Sequence, residues 1–227
     1  MNARIPLSPA FVALVVLGLA FPTGSAAAGE LAVEGQASYF SMVASKSANA
    51  VFDSSAGFTW GGAARYSIDL GVYVTAGVRT FSKDGERVFL AGPGGSVARL
   101  GHPLSVRIMP IFATVGYRYR QGELIVPYAG IGGSLASYRE ESTVAGLAYD
   151  ESRSKMGFHV VGGAEIGRGR LRFGAEVGWS TVADAVGIGG VSEVYGENNL
   201  GGWTVLGKVV FAFGTGRKVP EELGPIK

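Results

Sequence analysis

The 227-residue chain holds 37 glycines, no cysteine and 17% charged residues, with a formal net charge of +2. The absence of thiols excludes a disulfide framework, a thiolate metal site and a lipid-modified cysteine, and the scattered, nearly balanced charge gives no reason to expect nucleic acid. Past residue 28 no apolar run approaches the ~20 residues of a membrane-spanning helix, so any crossing of a bilayer falls to strands.

The first segment reads as an export signal. Arg4 is a short basic start, Ala10 to Phe21 is an apolar stretch too short to span, and Pro22 to Ala28 is a small-residue cleavage region with Ala26 and Ala28 at its key positions. Cleavage before Gly29 is expected.

The first strand is predicted over Leu31 to Ser41, with Leu31, Val33, Ala37 and Tyr39 on one face and Glu34, Gln36 and Ser38 on the other. Ala56 to Ile68 follows, with Phe58, Trp60, Ala64 and Tyr66 opposed to Thr59, Arg65 and Ser67. Asp69 and Leu70 turn the chain into Gly71 to Phe81, where Val72, Val74, Ala76 and Val78 oppose Thr75 and Arg79. Alternation of period two over such distances is incompatible with a helix.

The fourth strand, Leu104 to Tyr119, changes phase. Val106, Ile108 and Phe112 are even-numbered whereas Val115, Tyr117 and Tyr119 are odd, which predicts a β-bulge between Pro110 and Thr114. Leu124 to Tyr138 is the fifth, with a small inward set (Gly130, Gly132, Ser134, Ala136) that leaves room for long side chains from across the interior. The sixth, Ser154 to Ile166, sets Phe158, Val160, Ala164 and Ile166 against His159 and Glu165. Gly167 to Arg170 leads into Leu171 to Thr181, where Phe173, Ala175, Val177 and Trp179 oppose Arg172 and Glu176. Gly201 to Phe213 closes the series, with Trp203, Val205, Val209 and Phe211 against Thr204 and Lys208.

Long gaps (Met42 to Ser55, Ser82 to Pro103, Arg139 to Arg153, Val182 to Leu200) alternate with gaps of a few residues. The apolar faces carry no charge, as lipid contact demands when a midplane Arg or Lys costs ~2 to 4 kcal/mol. Aromatics gather at both ends of these faces: Tyr39, Phe58, Trp179 and Trp203 beside the long gaps, Tyr66, Tyr117, Tyr119 and Phe213 beside the turns. The expectation is all-β: an eight-stranded antiparallel up-and-down transmembrane β-barrel over residues 29–213, after a signal peptide (1–28) and before a C-terminal tail (214–227).

Export signal, eight alternating strands, loop asymmetry and the aromatic last strand together resemble the small eight-stranded bacterial outer-membrane barrels, the class of the OmpA transmembrane domain and OmpX. Stretches such as Val126 to Tyr138 (VPYAGIGGSLASY) and Gly157 to Ile166 (GFHVVGGAEI) are similar to the strands of that superfamily. The alternation of long and short gaps leads one to expect a bacterial outer-membrane location with long loops extracellular and the N-terminus and tail periplasmic, and a monomer is the default expectation. The resemblance implies outer-membrane lipid and lipopolysaccharide as surroundings, and a final strand read by the barrel assembly machinery, although residues follow Phe213 here.

With apolar faces outward, the lumen is expected to receive a charge network of Glu34, Arg65, His159, Glu165, Arg172, Glu176 and Lys208. Glu34 with Arg65 and Glu165 with Arg172 are predicted as cross-strand ion pairs, with Glu176 and Lys208 meeting near mid-height. In eight strands such pairs form a plug, since side chains fill the interior and a buried charge has to be paired. A sharper alternative makes the Glu176 and Lys208 pair a gate. Arg79 and Arg107 are expected as a basic pair at the outer mouth, facing lipopolysaccharide phosphates or anions unless loop acids such as Asp84 or Glu86 neutralise them.

A catalytic role has little to rest on: the histidines are His102 and His159, with no convincing serine and acid beside them, and the glycine strings lack a phosphate-loop ending. No catalytic, cofactor or metal residues are assigned. The favoured function is a structural or surface-interaction barrel with a largely plugged lumen. The alternative is a narrow porin-like channel with weak anion preference, from six basic lumen residues against three acids. A surface-binding role for the loops and a soluble lipocalin-like carrier with the faces reversed complete the classes considered.

Overall fold

Each strand that faces lipid on one side and the interior on the other carries the two-residue period, and eight of them close into one ring. The computed structural model describes residues 29–214 other than 69, 93–94, 120–122, 145 and 188–189, so the predicted signal peptide and residues 215–227 of the predicted tail lie outside the described residues, while Gly214 ends the last strand. The strands are β1 (Gly29–Met42), β2 (Ala56–Ile68), β3 (Val72–Leu90), β4 (Val97–Arg118), β5 (Ile125–Val144), β6 (Leu147–Ile166), β7 (Leu171–Thr181) and β8 (Gly202–Gly214). Every neighbour in sequence pairs antiparallel, and β1 pairs with β8 from Glu30 opposite Gly214 to Met42 opposite Gly202. Closure leaves no edge strand, which is what allows strands to sit in hydrocarbon.

Among the described residues no helix is long and apolar enough to cross a membrane. The outward faces match the predicted ones on seven strands: Phe58, Trp60, Val177, Trp203 and Val205 are all exposed, with Phe58 at 78%. β2 and β7 have the predicted bounds.

β4 differs. Its pairing with β3 keeps one register from Tyr117 opposite Val72 to Pro103 opposite Glu86, and its pairing with β5 is continuous from Leu104 to Arg118. The predicted bulge at Pro110 to Thr114 is absent. Pro110 has no N–H to donate, and the β3 ladder skips the rungs at Pro110 and Met109 without slipping. Val106, Ile108 and Phe112 are therefore buried inside, and Arg107 faces out. The register shift in this hairpin lies farther out, between Glu86 and Val88.

The long gaps have structure of their own. Those predicted at Ser82 to Pro103 and Arg139 to Arg153 are mostly ladder, since β3 and β4 run 19 and 22 residues and β5 and β6 run 20 each. A tilted strand needs only ~9 to 11 residues to cross the hydrocarbon. The excess stands beyond it as two hairpins, the second tied by Arg139 to Asp150 at 2.9 Å. The other two gaps carry helices α1 (Ser45–Phe52) and α2 (Gly190–Val194).

Candidate functional site: the barrel lumen

The turn-side half of the lumen is a network of charges. Arg65 on β2 lies at its centre, 2% exposed, bonded to Glu165 on β6 and 2.8 Å from Glu34 on β1. Glu165, 1% exposed, also accepts from Arg118 at 2.9 Å and lies 3.0 Å from Lys208. Lys208 reaches Glu34 at 3.5 Å and stands 4.2 Å above the ring of Tyr128. Toward the turns, Glu30 binds Arg172 and lies 3.1 Å from Arg118.

Of the predicted pairs, Glu34 with Arg65 forms. Glu165 and Arg172 do not meet, because Arg172 turns to Glu30 and Glu165 reaches across the ring to Arg65. Glu176 and Lys208 do not meet either. The β7 to β8 register sets Lys208 opposite Gly174 and Glu176 opposite Leu206, so the lysine extends toward the turns while the glutamate faces a higher layer. Glu30 belongs to the network and was missed by a strand predicted to begin at Leu31, although even numbering on β1 already placed it inward.

The middle layer couples polar and aromatic groups. Glu176 accepts from the Tyr128 hydroxyl at 2.9 Å and lies 3.5 Å from Arg79, whose Nε donates to Gln36 at 2.9 Å. Arg79 lies 4.7 Å over the ring of Phe112. His159 shares a 2.8 Å hydrogen bond with Thr114 and meets Phe112 edge to face. The small residues of β5 make this possible: a methyl on Gly132 would stand 2.5 Å from His159 Nε2, and one on Gly130 2.6 Å from the Tyr73 hydroxyl.

Arg79 and Arg107 do not form a basic pair at the mouth. Arg79 points into the lumen and is engaged there; Arg107 lies on the outer face, opposite Arg139 on β5. Among the described residues, from the turns up to Arg79 the network holds five cations (Arg65, Arg79, Arg118, Arg172, Lys208) and four carboxylates (Glu30, Glu34, Glu165, Glu176), nearer balance than the six to three expected.

Above Arg79 the lumen wall becomes apolar, which sequence reasoning missed, and charge returns at the rim with Arg87, Glu140, Glu151 and Arg153 around the space under the helices. Phe81, Leu104, Val106, Ile108, Ala136, Val182 and Leu200 form one buried cluster that continues into Met42 and into Ala48 of α1. The helices lie over the mouth, and Glu197 joins them by accepting from the backbone N–H of Ser47 at 2.8 Å. Beneath, a cavity of about 100 Å³ is bounded by Phe40, Phe81, Ile108, Phe112 and Leu200, with Arg79 and His159 at its inner end. A second space of about 420 Å³ opens under the helices and shares Ile108 and Leu200 with the first. Among the described residues no group of three His, Cys, Asp or Glu side chains is placed to hold a metal.

No protein-family model and no curated protein sequence matches the chain. Solved structures are similar to it. Neisserial surface protein A matches at 14% identity with a TM-score of 0.52, covering 82% of this chain and 97% of that one. A major outer membrane protein of Thermus thermophilus matches at 14% identity with a TM-score of 0.56, covering 82% and 99%. The fold is that of the small eight-stranded outer-membrane β-barrels, as the strand pattern leads one to expect.

Proposed function

We propose that this chain is a non-catalytic barrel of the bacterial outer membrane, with its turns in the periplasm, its hairpins and helices outside, and a lumen that does not conduct. Its role is structural or surface-interacting, carried out as a monomer among outer-membrane lipids and lipopolysaccharide after insertion by the barrel assembly machinery. The lipid-facing aromatics at both ends of the wall and the absence of a free strand edge support that setting.

One observation carries the reading of the lumen. Arg65, Glu165, Arg118, Lys208 and Glu34 each bury at least nine-tenths of their surface in mutual ion pairs across the bore. Opening a path through them would strand charges without partners, a change that costs several kcal/mol per ion. The narrow porin-like alternative loses its strongest support with Arg107 outside and Glu30 inside.

Planar-bilayer recording of the purified protein tests this. No steady unitary current is expected at moderate voltage for the wild type or for Lys208→Ala. Reproducible unitary steps in the wild type would replace the plug with a pore.

A further inference from the structure

We infer that the outer half of the lumen is a binding site for a medium-chain aliphatic carboxylate, its chain in the apolar cavity and its head on Arg79. This goes beyond a closed barrel and does not depend on whether the turn-side half conducts.

The space has the form such a ligand needs. The inner cavity and the space under α1 and α2 have Ile108 and Leu200 as a shared wall, and their volumes of about 100 and 420 Å³ add to a total within the ~300 to 1,000 Å³ typical of small-ligand pockets. Walls of Phe40, Phe81, Ile108, Phe112 and Leu200 offer only dispersion contact and burial, which an alkyl chain returns at ~0.8 kcal/mol per CH₂.

The head group follows from charge. Among the described residues the lumen network holds five cations and four carboxylates, and Arg79 is the cation most loosely paired. Arg65, Arg118 and Lys208 each have a carboxylate at 3.1 Å or closer, whereas the carboxylate paired with Arg79 lies at 3.5 Å. The Arg79 side chain is also 20% accessible, against 2% for Arg65 and 3% for Arg118, and it forms the inner end of the apolar cavity. With its Nε given to Gln36, the guanidinium keeps donors for an incoming carboxylate, the geometry arginine serves well. Hydroxyls of Thr59 and Ser134 line the same space.

The test separates lumen binding from solution in the bilayer. Protein in phospholipid nanodiscs, with Ile, Leu and Val methyls labelled for NMR, is titrated with dodecanoate and with dodecanol. Methyls of Ile108, Leu200 and Val182 are expected to shift saturably with dodecanoate, while lipid-facing Val74 and Val205 drift without saturating. Dodecanol should bind about tenfold or more weakly, the measure of one charge-assisted hydrogen bond. Arg79→Gln should erase that preference, and Leu200→Trp, which adds bulk to the wall shared by both spaces, should abolish saturable binding of both. Absence of saturable shifts at Ile108 and Leu200 in the wild type overturns the site. Equal affinity for acid and alcohol, or an unchanged preference in a folded Arg79→Gln protein, overturns the role of the carboxylate.

Discussion

Glu197 caps a helix that lies far from it in the chain, 150 residues before it at Ser47: its carboxylate accepts from the backbone N–H of Ser47 at 2.8 Å and from that of Lys46 at 3.1 Å. The residue preceding α1 is Ala44, which makes no side-chain cap of its own. An acceptor at the first turn satisfies donors that the helix cannot, and its charge suits the positive end of the helix dipole.

Glu197→Ala should therefore loosen α1 without touching the barrel. A loss of about 1 kcal/mol is expected, read as several-fold faster amide exchange at residues 46–50. Exchange in β1 and β8 should not change. Equal protection of α1 in both proteins would assign the helix's stability to its apolar contacts, Ala48 and Phe52, alone.

Glu165 is the joint of the turn-side network, in contact with Arg65, Arg118 and Lys208 at once. Glu165→Gln leaves three buried cations sharing one fewer anion, and about 3 to 5 kcal/mol of destabilisation is expected. Urea titration of the protein in lipid vesicles measures it. Adding Lys208→Met should restore part of the loss, because it removes one of the stranded charges; no restoration would mean that Lys208 draws its support from Glu34 and the Tyr128 ring instead.

Tyr73 carries a buried hydroxyl without a protein hydrogen-bond partner, and that oxygen is the atom a methyl on Gly130 would strike. Tyr73→Phe should thus be neutral or stabilising by about 1 kcal/mol, since it deletes an unsatisfied polar group while keeping the ring against Tyr128. Gly130→Ala alone should cost about 1 to 3 kcal/mol through overpacking. In the Tyr73→Phe background the cost should fall, and vesicle-based urea titrations of the four proteins give the coupling directly.

Lipid contact made most of this fold legible. Where one side of a strand meets hydrocarbon and the other meets polar groups, the period is clean, and β2 and β7 were readable to their ends. The same signal misled on β4, because Val106, Ile108 and Phe112 are apolar for a different reason: they are buried in the upper lumen. The unbroken odd series Ile111, Ala113, Val115, Tyr117 and Tyr119 held the correct phase, and it placed Arg107 outside. The outer hairpins carry polar side chains on both sides of their strands, Lys83, Asp84 and Glu86 in β3 and Arg139, Glu140 and Glu141 in β5, so their strands show no clean alternation. Ion pairs were the least legible part. Sequence register reports neighbours within the wall, whereas Arg65 on β2 and Glu165 on β6 meet across the bore, from strands on opposite sides of an eight-membered ring.

The membrane-facing assignment itself is open to a direct test at Ile131. Its side chain is 59% exposed on β5, and its register partners are Val115 on one side and Val160 on the other, so nothing polar borders it along the wall. In a soluble barrel an arginine there would be an ordinary surface residue and its cost close to zero. In hydrocarbon the same substitution places a cation amid apolar neighbours, and Ile131→Arg should lose about 2 to 4 kcal/mol if the position lies near the midplane. Arg107→Leu, a change on the same outer face but beside Arg139 and Ser82, serves as the reference and should cost little. Reversible folding into phospholipid vesicles gives both values. A large loss at Ile131 with a small change at Arg107 fixes the apolar belt below the Arg107 row, whereas equal, small effects would take the bilayer away from this face.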